Sequence, residues 1–514
     1  MNKHESNKRI SAVCMILGSM LIAEIAALYM NSGVVKGVNK RADNLKVYAK
    51  VEKDDESILP GDIYDRNGNA LAVTDYVDGD EKNEVKTVYS NSMAYAQLLG
   101  YTGRHVFYPL AETAEDVVGS RNDARLMAFL DENYFDEDGS IYNTVNLDGR
   151  KGESAVLTID DGLQNHVYEA MSNYISSTDD IGSAIVMDVE TGAILADVCF
   201  PTYDFNNLEE AQQKMVEDQK NTGLEPGYPV TYKNPQAPGS IFKVLVAAAL
   251  IDHDMEDFTV KNTSLQMDGG WICDAYSYRT STLDVENGDE IDLETALNIS
   301  SNVYFAQAAF VLGEARLNET AEKFMLTNDG DGFLLDFGEV RYNWNTDVAE
   351  DIFAQTGFGQ GETEITTVQA AMIAQAVAND GNLMKPYMVD SIIDADGKTV
   401  YSGKPEKMGR ATSKRASRIL VDYMRSTAQE CCSLHGLEYE KEVFDEYGVA
   451  GKTGTAETGD ADNTMNAWYI SFAPYDDPRY VVVANQCKVS GKEGSDMIPI
   501  VADIYNYLFT EFEE

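Results

Sequence analysis

The chain has 514 residues, with 86 Asp+Glu against 40 Lys+Arg, for a net charge of −46. Its length suits two to four domains, and 44% apolar residues supply at least one large core. With 25% charged and 10% aromatic residues it is no disordered acidic tail, and the acidic excess excludes nucleic acid, which needs Lys/Arg to displace counterions.

Lys3, Lys8 and Arg9 precede Ile10–Met30, a run with one charge in 21 residues. At ~1.5 Å per residue it reaches ~31 Å, about one hydrocarbon core. We expect residues 1–9 to be a cytoplasmic tail and 10–30 a single transmembrane helix. The basic flank keeps the N-terminus inside and sends the remainder out. A cleaved signal peptide is the competing reading, but the apolar run is longer than the usual h-region of a signal and no A-x-A site closes it. Cys14 starts the run rather than ending it, which disfavours a lipoprotein. Glu24 either contacts another membrane helix or stays a carboxyl in a lone one.

Residues 31–152 are expected to form a stalk and a small, mostly-β pedestal domain. Within them Asn67-Gly68 lies between β-compatible runs and predicts a hairpin turn. The acidic stretch Asp136-Glu137-Asp138-Gly139 lacks calcium-loop spacing and reads as a solvated loop.

From residue 153 to 514 the elements are cleaner. VLTID (156–160) predicts a strand entering a helix near Asp161, and 184–198 two alternating strands around Glu190-Thr191-Gly192. A late hairpin over 467–486 turns at Asp476-Asp477-Pro478, and an amphipathic helix follows Ser495-Asp496. Early strands, middle helices, late strands and a terminal helix predict an α+β fold, an antiparallel sheet covered by helices.

Five cysteines follow the apolar run (Cys199, Cys273, Cys431, Cys432 and Cys487), an odd number, without C-x-x-C. The five histidines form no H-x-x-x-H or H-E-x-x-H pattern. Neither a metal nor another cofactor is implied.

The segment Pro238–Ile251, PGSIFKVLVAAALI, carries the strongest chemical signal. Pro-Gly opens a helix, Ser240 sits at its start, and every residue from Ile241 to Ile251 is apolar except Lys243. An all-apolar helix is buried, so Lys243 is a lone ammonium in a core, three residues from Ser240 and on its face. Burial lowers a lysine's pKa and makes it a proton acceptor for a serine hydroxyl. On this segment alone, the alternative stays open that Lys243 reaches solvent and Ser240 merely caps. Ser300-Ser301-Asn302 forms a polar loop between two apolar helices. Lys452-Thr453-Gly454-Thr455 precedes the late hairpin, in place for an edge strand facing a cleft. Each of these is weak alone, and together in this order they are not.

Taken together, the chain resembles a class B penicillin-binding protein, a monofunctional peptidoglycan D,D-transpeptidase. The likeness includes GDIYDRNGNALA (61–72), VLTIDDGLQ (156–164), VMDVETGAILADVCFPTYD (186–204), GFGQGE (357–362), AVANDGNLMKP (376–386) and AGKTGTAET (450–458). Pro60 stands where the family usually has Arg, a departure that bears on the pedestal. The pedestal is also short beside those of larger division-type members, and no glycosyltransferase-sized region precedes it.

The resemblance implies that Ser240 attacks the penultimate D-Ala carbonyl of a stem peptide, with Lys243 taking its proton. Ser300 would relay a proton to the leaving amine, and Asn302 would hold Lys243 and the substrate amide. Lys452 would supply positive charge, with Thr453 and Thr455 on the substrate carboxylate along the strand that contains Gly454. Backbone N–H groups of Ser240 and Thr455 would form the oxyanion hole. Implied partners are D-Ala-D-Ala stem peptides, β-lactams, and a membrane glycan polymerase with other wall-synthesis proteins. A D,D-carboxypeptidase or β-lactamase shares this chemistry, and a non-catalytic scaffold is the rival from another class.

Two features are read as structural. Glu314 in LGEARLNETAEKF is expected on a helix surface, and GFGQG (357–361) as the loop before a helix starting near Thr366. Residues 1–30 sum to +1, so the rest carries −47. We therefore expect Lys452, with Lys488, to make a small basic cleft on an acidic surface.

Overall fold

The computed structural model describes residues 62–76, 85–99, 154–175, 180–222, 230–267, 272–326, 341–342, 344–345, 347–393 and 397–512. The expected membrane span, the stalk and the Asp136–Gly139 stretch lie outside them. Among the described residues no helix is long and apolar enough to cross a membrane.

Two sheets organise the molecule. The first has six strands: β1 (Ile63–Tyr64), β2 (Ala70–Tyr76), β3 (Val85–Tyr89), β4 (Ser154–Leu157), β7 (Val389–Ile393) and β8 (Thr399–Ser402). Their order is β8-β7-β4-β1-β2-β3, with β1 parallel to β4 and the other pairs antiparallel. This sheet takes strands from both sides of residue 152. The expected turn at Asn67-Gly68 is a wider loop, because Asp65 organises it. Its carboxylate accepts from the Asn67 and Asn69 backbone N–H groups at 2.9 and 2.7 Å, and Gly68 takes φ 83°.

The second sheet is antiparallel and five-stranded, built from β5 (Ile181–Asp188), β6 (Ile194–Phe200), β9 (Ala450–Glu457), β10 (Met465–Ala473) and β11 (Tyr480–Val489). The order is β9-β10-β11-β5-β6, so β9 is an edge. The β5–β6 turn closes on Asp188, which accepts from the Thr191 N–H at 2.7 Å. Contrary to the alternation expected over 184–198, β6 is buried throughout and β5 at every position but its last.

The cause is a helical layer on each side. Ile185, Met187 and Ile470 share a core with α1 (Ser92–Leu99), α3 (Lys243–Asp252) and α6 (Thr367–Ala378). Ala184, Val186 and Tyr469 share another with α2 (Asp161–Ser172) and α8 (Ile498–Tyr507), leaving no wet face to demand polar residues. Local signals set the helix starts. Asp160 caps α2 by accepting from the Leu163 N–H at 3.0 Å. Thr366 and Gln369 form a capping box on α6, where the sequence placed a helix start.

One polar group in this core lacks a charged partner. Asp197 on β6 is 1% exposed. Its carboxylate accepts from the Thr231 hydroxyl at 3.1 Å and the Cys199 thiol at 3.8 Å, and no ion pair reaches it among the described residues. Desolvation pushes its pKa up to about 7, against the lowering effect of those two bonds. All five described cysteines are buried and unbridged.

Candidate active site

Ser240 lies in a 3₁₀ turn, Gly239–Phe242, that runs into α3. Three contacts fix this turn. The Ala237 carbonyl accepts from Trp468 Nε1 at 3.0 Å and Asn466 Nδ2 at 3.3 Å. The Gly239 N–H donates to the Gly359 carbonyl at 2.8 Å. Gly239 has φ 55°, and a Cβ there would sit 2.3 Å from the Thr455 carbonyl oxygen, so only glycine lets the turn touch β9. Ser240 itself is half-buried, and its hydroxyl has no hydrogen-bond partner among the described residues.

Lys243 begins α3 and is fully buried, with its ammonium 5.7 Å from the Phe305 ring centre and 6.0 Å from that of Phe358. The sequence set Lys243 on the face of Ser240. Its hydrogen bonds run instead to the next motif: the Ser300 carbonyl at 2.6 Å, Asn302 Oδ1 at 2.7 Å and Ser300 Oγ at 3.2 Å. Desolvation first, and the charge of Lys452 second, hold its pKa well below the usual lysine range.

Ser300 stands between α4 (Leu293–Asn298) and α5 (Asn302–Lys323), and Asn302 is the first residue of α5. Ser300 takes φ 54°, a left-handed conformation costing a non-glycine residue ~1–3 kcal/mol. Its neighbours hold it there. The Ser301 hydroxyl accepts from the Tyr304 N–H at 3.1 Å and caps α5. Asn298 donates to Ser426 Oγ at 3.0 Å and accepts from the Thr427 hydroxyl at 2.9 Å, both on α7 (Lys414–His435).

Lys452 on β9 is 1% exposed, and Nζ donates to Ser300 Oγ at 2.9 Å and the Thr453 carbonyl at 3.1 Å. Burial pulls its pKa down to about 8. Thr453 and Thr455 are half-exposed and alternate with the buried Lys452, Gly454 and Ala456. The Thr455 hydroxyl accepts from the Gly494 N–H at 3.0 Å, leaving its own proton to donate outward. Burial pushes the Cys431 thiol of α7 up in pKa, and the charge of Lys452 is the first influence opposing it.

The structure therefore brings Lys243, Ser300, Asn302 and Lys452 into one hydrogen-bonded cluster, with the Ser240 turn and the Thr453–Thr455 edge against each other. Lys488 does not join it. That residue is exposed on β11, and its backbone N–H donates to Asn466 Oδ1 at 3.1 Å. Of the expected pair, only Lys452 lies in the cluster, where it is buried. Glu314 is corrected in one respect: α5 breaks at Gly313 (φ 74°, ψ 165°), so Glu314 opens a second helical segment. Sequence reasoning missed Gly494, Trp468 and Asn466. Gly494 had a signal in its position just before the terminal helix, whereas the others act through contacts between distant segments.

Chemically, Ser300 Oγ is shared by two amines whose like charges oppose each other. Burial depresses Lys243 most, which favours its neutral form, and a neutral amine can accept a proton. Lys452 stays cationic near neutral pH.

The family described as penicillin binding protein transpeptidase domain matches residues 182–506. The peptidoglycan D,D-transpeptidase PbpA of Mycolicibacterium smegmatis is 28% identical over 499 residues, covering 93% of this chain and 92% of the relative. PbpA of Mycobacterium tuberculosis is 27% identical over 502 residues, with coverage of 93% and 92%. Among solved structures, the penicillin G acyl-enzyme of penicillin-binding protein A from M. tuberculosis superposes with a TM-score of 0.70. It is 24% identical and covers 88% of this chain and 100% of its own. The chain belongs to the penicillin-binding protein transpeptidase family, as a member of the class B type.

Proposed function

We propose that the chain is a peptidoglycan D,D-transpeptidase that works through an acyl-enzyme on Ser240. The observation that carries the reading is the shared hydrogen bonding of Lys243 and Lys452 at Ser300 Oγ, beside a half-buried serine with an uncommitted hydroxyl. Relatives named as D,D-transpeptidases along nearly the whole chain support it.

In this reading Ser240 Oγ attacks the carbonyl carbon of the penultimate D-Ala. Its proton goes to neutral Lys243, whose two N–H bonds are already directed at the Ser300 carbonyl and Asn302 Oδ1. The tetrahedral oxyanion is held by the backbone N–H groups of Ser240 and Thr455. Collapse breaks the C–N bond, and the leaving amine takes its proton from Ser300 Oγ, which is replenished from Lys243. Lys452 holds the substrate carboxylate electrostatically, while Thr453 and Thr455 donate to it. An amine of a neighbouring stem then attacks the ester and frees Ser240. β-Lactams enter the same path and stop at the acyl-enzyme.

We further propose that residues 10–30 anchor the chain in the cell membrane, with 1–9 cytoplasmic. Residues 31–152 would form stalk and pedestal, 153–514 the extracytoplasmic catalytic domain, and a membrane glycan polymerase would partner the pedestal.

Labelling with fluorescent penicillin tests the nucleophile. Wild-type protein should carry one label, and Ser240→Ala none; labelling that survives this substitution overturns the assignment.

A further inference from the structure

The GFGQG loop (357–361) does more than precede a helix. Its Gly359 carbonyl holds the Ser240 turn through Gly239, as described above. The next residue, Gln360, reaches the catalytic sheet. Its Oε1 accepts from the Glu457 N–H at 2.9 Å, and its Nε2 donates to the Glu457 carbonyl at 3.4 Å. One side-chain amide thus satisfies both backbone groups of one residue, as a neighbouring strand would.

Those two bonds fix the phase of the edge. In an antiparallel ladder, alternate residues turn both backbone groups toward one partner or away from it. Glu457 pairs with Met465 in register yet spends its N–H and carbonyl on Gln360. Glu457, Thr455 and Thr453 therefore point their backbone groups outward, while Ala456, Gly454 and Lys452 bond to β10. An extended peptide laid on this edge would find the groups of Thr453 and Thr455 and then meet Gln360 in place of Glu457.

We infer that Gln360 is a specificity-determining residue that closes the edge of β9 at Glu457. It confines the extended part of an acyl donor to the Thr455 position. The inference rests on the transpeptidase reading of the same site. Donor residues upstream of that position are turned away from the strand, so they gain no backbone pairing. The amide acts as an internal end-strand, which also keeps an exposed edge from recruiting another chain.

The test compares two depsipeptide donors that share a D-Ala-D-lactate end, one bearing a single acetyl group and the other a tripeptide extension. Each is measured on wild-type protein and on Gln360→Ala. Removing the amide opens the Glu457 N–H and carbonyl to the longer donor. The long-to-short ratio of kcat/KM should then rise on the order of tenfold, the worth of one to two new hydrogen bonds. A ratio that stays within about twofold of wild type, well short of one such bond, overturns the inference. Stoichiometric labelling by penicillin confirms that the variant is folded and competent. If wild-type protein itself fails to acylate, the transpeptidase reading falls instead, so the two failures are separable.

Discussion

Lys243 and Lys452, 209 positions apart in sequence, meet at a single oxygen: Ser300 Oγ lies 3.2 Å from one Nζ and 2.9 Å from the other. Two full charges on one hydroxyl are unfavourable, so the pair works as one base and one cation. The acylation rate should therefore be bell-shaped in pH. Its alkaline limb should fall near pH 8, where Lys452 loses its charge. Lys452→Arg keeps the charge at all accessible pH and should remove that limb, at some cost in rate. Lys452→Ala should slow acylation with the fold intact. Stopped-flow acylation by penicillin across pH 5–10 reads these outcomes; an unchanged alkaline limb in Lys452→Arg would remove Lys452 from the profile.

Ser300→Ala deletes the shared oxygen while leaving the Ser300 carbonyl bonded to Lys243. Acylation should fall ~10²–10⁴-fold, as expected for loss of a proton relay. Asn302→Ala removes a 2.7 Å partner of Lys243 and should also slow acylation. A near-wild-type rate in Ser300→Ala would mean that the proton takes another route.

Gly359→Ala is expected to strike the nucleophile from a distance. A Cβ there falls 2.1 Å from the Gly239 carbonyl oxygen, at φ 78°. The substitution should lower both melting temperature and acylation rate. Gly397→Ala, at φ 79° with open space around it, should cost only ~1 kcal/mol of backbone strain and leave acylation alone. Equal acylation rates in the two variants would dismiss the coupling of the loop to the Ser240 turn.

Asp197 gives stability an unusual slope. Its folded pKa, about 7, lies above the unfolded value of ~4, so the folded state holds the proton more tightly. Stability from this group is complete below about pH 4 and is lost as pH rises through about 7, by an amount on the order of a few kcal/mol. Asp197→Asn keeps an acceptor for Thr231 and cannot ionise. Denaturant midpoints measured from pH 4 to 8 should flatten in this variant; an identical slope in both proteins would show that Asp197 does not titrate there.

The order of motifs and the burial of Lys243 were legible because each is local: an apolar helix with one amine, a polar loop between helices, a threonine-rich strand. The late hairpin and its turn were legible for the same reason. What escaped the sequence is long-range. Nothing near Ser240 announces that Lys243 will bond to a loop 57 residues away, or that Trp468 will hold the Ala237 carbonyl. The strands at 181–200 misled because a sheet covered on both faces needs no polar alternation. Glu314 stands in a helix as read, but the break at Gly313 went unseen because a glycine break leaves little trace in hydrophobic period.

The six-stranded sheet has a practical meaning for anyone trimming the chain. A protein cut to begin at Ser154 would keep β4 but lose β1, β2 and β3, leaving a freshly bared edge where β1 had paired in parallel. Such an edge is a template for self-association. Aggregation of shortened forms would then report the missing strands rather than any fault in the catalytic half.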